Sequence, residues 1–191
     1  MKKIIILLGV MALALTSFAE ERETHYFDAA IWAPKLQIHS EESDISGLRL
    51  GLFYAEHESV RGVDLSVFAS KIKGDFTGLQ LGAWYNVVEG SAKGFQIGGA
   101  NINGYMRGVQ LGLVNINGSS EGLQLGGVNK GGETRGVQIG LVNYSEKHSG
   151  LMIGLYNHAK VMNGVQIGLA NYVGNNETLK VMPLMNFHFG L

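Results

Sequence analysis

Between Gly78 and Asn171 the chain repeats one phrase, glycine-apolar-glutamine-apolar-glycine, usually followed three residues later by asparagine. It reads GLQLG at 78–82, GFQIG at 94–98, GVQLG at 108–112, GLQLG at 122–126, GVQIG at 136–140, GLMIG at 150–154 and GVQIG at 164–168. The leading glycines Gly94, Gly108, Gly122, Gly136, Gly150 and Gly164 are fourteen residues apart. Two degenerate copies open at Gly47 and Gly62, with Arg49 and Asp64 in place of glutamine and Ser66 in place of the second glycine. A fixed period means an array in which each copy is one structural unit.

The parity of the apolar positions decides what that unit is. Leu79 and Leu81, Val109, Leu111 and Leu113, Val137, Ile139 and Leu141, and Val165, Ile167 and Leu169 all fall on odd numbers. The opposite face carries glycine, glutamine and glycine. Alternation with period two is the pattern of a strand, and the glycines argue further against helix. Between motifs lie polar connectors such as Asn117-Gly118-Ser119-Ser120, Lys130-Gly131-Gly132-Glu133 and Ser145-Glu146-Lys147-His148. These residue types supply turns. Without apolar residues they are not expected to form a second core-facing strand, which counts against a solenoid closing one coil per fourteen residues.

Composition narrows the setting. Lys2 and Lys3, the apolar run Ile4 to Leu15 and the small-residue site Ser17-Phe18-Ala19 form an export signal, expected to be cleaved before Glu20. The expected domain is then 20–191, with motif copies over 47–171 and a last strand over 179–191. Cysteine is absent, so no disulfide framework exists. The formal net charge is −1, with no basic run or stripe along the sequence, so nucleic acid is not an expected partner. No segment after residue 19 is apolar enough for a membrane helix, so any membrane insertion would have to use strands.

Two all-β architectures fit. The first, and the leading expectation, is an antiparallel meander closed into a transmembrane β-barrel of about 10–12 strands. The second is a parallel two-sheet β-roll or solenoid in which each fourteen-residue copy makes half a coil and the odd face is buried between sheets. Met185, Phe187, Phe189 and Leu191 alternate to the final residue. That run resembles the C-terminal strand of outer-membrane barrels, which implies the lipid bilayer and the barrel-assembly machinery as partners. Phe187, Phe189 and Leu191 are therefore the candidate closing-strand signal. The opening segment near 25–38, broken by Pro34, is expected to give two strands or a partial plug.

The recurrent Gln80, Gln96, Gln110, Gln124, Gln138 and Gln166 are the candidate lining residues, in a barrel lumen or as stacked ladders. The asparagines that close each copy suit turns. If the early strands face the same interior, Arg49 and Asp64 are expected to pair there. His25, His39, His57, His148, His158 and His188 show no metal-ligand spacing. No nucleophile, base and orienting group converge in the sequence, so no catalytic residue, metal or cofactor is expected.

The phrase GVQIGLVN at 136–143, with relatives at 108–115 and 164–171, resembles the repeat of bacterial surface-repeat proteins, exported glycine-rich proteins of didermic bacteria. The resemblance covers roughly 47–171 and implies an outer-membrane or cell-surface location without supplying catalytic residues. The function expected from the sequence is a structural or passive-channel barrel. Its alternative is a surface-exposed β-roll that acts in interaction or adhesion.

Overall fold

The computed structural model describes residues 23–190. The proposed export signal and Leu191 lie outside them. The elements are β1 (Thr24–Trp32), β2 (Leu36–Gln37), β3 (Asp44–His57), β4 (Ser59–Ser66), β5 (Ala69–Ile72), β6 (Phe76–Val173) and β7 (Val181–His188). Strand β6 is one extended segment of 98 residues. It winds as a helical ribbon, and the coils before it are the separate strands β3, β4 and β5.

The pairings overturn the barrel. A meander closed into a barrel requires antiparallel neighbours, but β3 and β4 run parallel with Gly47 opposite Gly62 and Arg49 opposite Asp64. Strand β4 continues parallel onto β6, Gly62 opposite Gly78 and Asp64 opposite Gln80. Residues that are equivalent in the repeat therefore lie on top of one another. The chain is a parallel β-solenoid, the second of the two architectures expected, with one difference in its winding. Gln110 hydrogen-bonds Gln96, fourteen residues before it, and Asn115 bonds Asn129, fourteen after it. Each copy thus closes a whole coil rather than half of one.

The connectors make that possible. They form the second side of every coil, as the pairing of β5 with both β3 and β6 shows: Tyr54 lies opposite Ala69, and Ser70 opposite Asn86. The reason for discounting them, their lack of apolar residues, fails because the interior is mostly not apolar. Asn117, Ser120, Thr134, Ser145 and His148 point inward and are buried, as are the motif glutamines and asparagines. The odd apolar face, expected between sheets in the solenoid alternative, is on the outside instead. Leu113 is 74% exposed and Leu169 67%.

Amide ladders replace most of the hydrophobic core. Gln96 Nε2 donates to Gln80 Oε1 at 2.7 Å, and the chain of bonds continues through Gln110, Gln124 and Gln138 at 2.7–3.1 Å. Asparagines stack beside it: Asn86, Asn101, Asn115, Asn129, Asn143, Asn157 and Asn171 are linked at 2.8–2.9 Å. Each Asn Nδ2 from Asn86 to Asn157 also donates to a backbone carbonyl of the next coil, as Asn143 does to Ile153 at 2.9 Å. An amide carries both donor and acceptor, so an in-register column of identical amides satisfies itself. Apolar plugs close the two ends. Ile45, Val60, Ile72 and Phe76 lead one cluster, and Met152, Ala159, Met162 and Val173 form the other.

The leading glycines mark one corner of the coil. All nine, from Gly47 to Gly164, have φ between +114° and +158°, where a side chain is strained. A methyl group at Gly108 would also press into the carbonyl oxygen of Gly94 in the coil before. The corner needs glycine for both reasons.

The ends differ from the middle. Strand β7 folds back antiparallel on the last coil, with Val165 opposite Phe187 and Ile167 opposite Met185. The C-terminal apolar strand therefore caps a solenoid edge, where the barrel expectation had it closing a cylinder. At the other end β1 lies parallel to β3, and β2 turns back on β1 through the cis Ala33–Pro34 peptide. The opening segment is thus two strands and a cap.

Candidate functional surface

The motif segments present three outward rows, one, three and five residues after each leading glycine. Down the array these are rows such as Val109, Val137 and Val165; Leu111, Ile139 and Ile167; and Leu113, Leu141 and Leu169. None of these row positions holds a charged residue. β1 extends the rows with Phe27 beside Leu48 and Ala29 beside Leu50, and β7 with Phe187 and Met185. With strands about 4.8 Å apart and a rise of about 3.3 Å per residue, the face covers on the order of 800 Å². Soluble monomers seldom expose a contiguous apolar patch above about 600 Å². This motif face is the strongest functional feature of the fold.

Its borders differ. From Gly62 to Gly136 the residue before each leading glycine forms a column of Arg61, Thr77, Lys93, Arg107, Glu121 and Arg135, all exposed. Arg107 and Glu121 are within 3.8 Å of each other, and Asp44 and Asp75 share a polar recess with Arg61 and Lys93. The sequence shows no basic stripe because these cations are separated by a full coil or more. Stacking brings them together, a correction to the linear reading. Along the opposite border, near the N-terminal end, Phe53 stacks on Phe68 at 5.3 Å and Trp32 lies 6.3 Å from Phe53.

Each end of the face carries a groove. Leu36 and Ile38, on the edge strand beside β1, line an open groove of about 840 Å³ together with Leu50, Leu52, Leu65, Val67 and Leu81. At the C-terminal end Leu184, at φ 67°, walls a second groove of about 610 Å³ over Ile139, Ile153 and Ile167.

The connector face is polar. Glu146 pairs with Lys160 at 2.5 Å and Glu133 with Lys147 at 2.6 Å, each across one coil. Tyr144, His158 and Tyr172 stack with ring centroids 4.8 and 4.4 Å apart. These columns were not singled out from the sequence, although reading residues fourteen apart would have found them. The molecule is two-sided: the motif face is apolar, and the other carries charged and aromatic columns beside the exposed Ile102, Ile116 and Val161.

The sequence candidates fall inside or at the end of this object. Gln80, Gln96, Gln110, Gln124, Gln138 and Gln166 are all buried and line the interior ladder, none reaching the surface. Gln166 sits at a break, since Met152 replaces the glutamine below it and receives the Gln166 Nε2 hydrogen at 3.4 Å through its sulfur. Phe187 and Phe189 are exposed on and just beyond β7.

Arg49 and Asp64 do meet, as a two-pronged ion pair at 2.9 and 2.6 Å with both side chains fully buried. Arg49 also donates to Ser70 Oγ, and Gln80 donates to Asp64 at 2.8 Å, so the pair joins the first glutamine of the ladder. Burial alone would raise the Asp64 carboxyl. The Arg49 charge, with hydrogen bonds from Arg49, Ser70 and Gln80, outweighs it and holds Asp64 below the usual carboxylate range.

Asp28 lies buried between His57 Nε2 at 2.9 Å and His39 Nδ1 at 3.2 Å. Burial opposes the Asp28 charge, and the two histidines hold its carboxyl low. The cluster fastens the N-terminal cap to the first coil. Among the described residues no group of three His, Asp or Glu side chains could hold a metal ion.

No protein-family model matches the chain, and neither a curated protein nor a solved structure matches it.

Proposed function

We propose that the protein is an exported, surface-exposed β-solenoid that works as an interaction module, using the motif face as its contact surface. The observation that carries this reading is the inversion of the strand pattern. Amides fill the interior, and the leucines, valines and isoleucines of every copy stand outside. Folding alone would favour the reverse arrangement, since exposed apolar surface forgoes about 25 cal/mol per Å². An outward apolar face kept through seven consecutive copies therefore has its use outside the molecule. The stacked fold makes it rigid, so a partner binds without first ordering the surface. The leader-like residues 1–19 and the resemblance to bacterial surface-repeat proteins support an envelope location. The passive-channel reading falls with the barrel, because the interior is filled by bonded amides.

Site-specific photocrosslinking in the producing cell tests the proposal. A photoreactive side chain at Leu141, on the motif face, should give strong adducts, and one at Lys147, on the connector face, few. Equal yields at the two positions would remove the assignment.

A further inference from the structure

We propose that the groove at the N-terminal end of the motif face binds a single long-chain carboxylate, its acyl chain laid across the strands and its head group held at Lys35. The inference rests on the motif face being a contact surface and names the chemistry of one part of it. The groove, about 840 Å³, is within the range of small-molecule sites, and its floor of Leu50, Leu52, Leu65, Val67 and Leu81 is apolar.

Three features select the ligand. First, the floor is sheet interior. Strand β4 is paired on both sides, to β3 and to β6, so its backbone offers nothing to an incoming peptide. A peptide laid there would bring unmatched amides onto an apolar floor, each stripped of water without a replacement hydrogen bond. An acyl chain brings none. Second, Leu36 and Ile38 of β2, the edge strand beside β1, line one end of this floor and bound the length of an occupant there.

Third, Lys35 is the one charged residue among the described residues that line the groove. Of the other polar lining side chains, the Ser66 hydroxyl donates to Asp64 and Gln37 Nε2 donates to the carbonyls of His39 and Glu56, while Gln37 Oε1 is a buried, uncharged acceptor without a partner. The Lys35 ammonium, as the charge in the lining, therefore sets the sign of the head group. The C-terminal groove has no such cation; leucine, isoleucine and glycine alone line it. From β1 to Leu81 on β6 the floor spans three strand spacings, roughly 15 Å, the reach of an acyl chain on the order of a dozen carbons.

The test is calorimetric titration of the full chain with twelve-carbon amphiphiles below their micelle concentration. All variants share the apolar segment near the N-terminus, so differences between them report on the groove. Laurate should bind more tightly than dodecanol, and dodecanol more tightly than dodecylammonium. Shortening laurate to decanoate should weaken binding about fifteenfold, at roughly fourfold per methylene. Lys35→Glu should reverse the order of laurate and dodecylammonium. Val67→Glu, on the floor, should weaken laurate at least tenfold, whereas Val161→Glu on the connector face should leave it unchanged.

An unreversed head-group order in Lys35→Glu, or wild-type affinity in Val67→Glu, would overturn the proposal. If laurate does not bind but phospholipid vesicles capture the protein, the groove assignment falls and the contact face stands. If Leu141 crosslinks are lost as well, both fall together.

Discussion

The glutamine ladder makes a quantitative claim that a double-mutant cycle can test. In Gln124→Leu, Gln138 Nε2 loses its acceptor, the Gln124 Oε1 at 2.7 Å. Gln110 Oε1 loses the Gln124 donor at 3.1 Å but keeps Asn117 Nδ2 at 2.9 Å. Ser120 Oγ loses a longer bond of 3.3 Å. The main penalty is thus one stranded buried donor, which costs about 1–3 kcal/mol. Leucine has similar volume, so no large cavity adds to it. Expected destabilisation is about 2 kcal/mol, read in urea as a midpoint lowered by about 1 M for a slope near 2 kcal/mol/M. Adding Gln138→Leu removes the stranded donor itself. The next position is already Met152, so no further glutamine loses a partner there. The double variant should therefore be more stable than the two single effects predict, with a coupling of about 1–2 kcal/mol. Strict additivity would show that the glutamines act as independent space-fillers, and would refute the ladder as an energetic unit.

Other consequences can be checked with the same unfolding assay. Gly136→Ala should cost at least ~2 kcal/mol, since its φ is +114° and the added methyl would meet the Gly122 carbonyl, whereas Gly190→Ala, with nothing nearby, should be neutral. Arg49→Met strands the buried Asp64 carboxylate and should cost about 3–5 kcal/mol, while replacing both Arg49 and Asp64 by glutamine should recover most of it. His148 is buried against Thr134 Oγ1 at 2.6 Å, and desolvation lowers its pKa from 6.5 to about 4. The unfolded chain takes up that proton first as pH falls, so the His148 contribution to stability should drop by about 3 kcal/mol between pH 6.5 and 4 and stay constant below, where the lowered Asp28 and Asp64 carboxyls carry the further loss. His148→Met, matching Met162 in the next coil, should remove that part of the slope. A His148→Met slope equal to wild type would show that other groups carry it.

Much of the fold was legible in the period, the parity and the glycines. These gave an all-β array with two-faced strands, and the buried meeting of Arg49 with Asp64. What misled was the assumption that a solenoid must bury an apolar strand side, which discounted the polar connectors and left the outward apolar face to the barrel. That rule holds when burial must come from hydrocarbon, but a column of identical amides is also a satisfied interior. Lys130-Gly131-Gly132-Glu133 looked unfit for a core-facing strand, yet Gly131 is buried inside the coil and Glu133 outside pairs with Lys147. The ending at Phe187 and Phe189 was ambiguous for a related reason, since an apolar alternating strand can close a cylinder or lengthen an outward apolar sheet. The groove at Lys35 was not legible at all, because it depends on β2 pairing at the edge of β1 and on β3, β4 and β6 stacking beside them.

The in-register stacking has a consequence for how such a molecule can change over generations. Its middle coils are nearly interchangeable, and its specialised parts, the Arg49–Asp64 lock, the apolar plugs and β7, sit towards the ends. Duplicating or losing one fourteen-residue unit would lengthen or shorten the molecule by about 4.8 Å and alter no contact type. The gene therefore encodes a ruler whose graduations can be added or removed singly, so reach can be adjusted without redesigning the surface that does the touching.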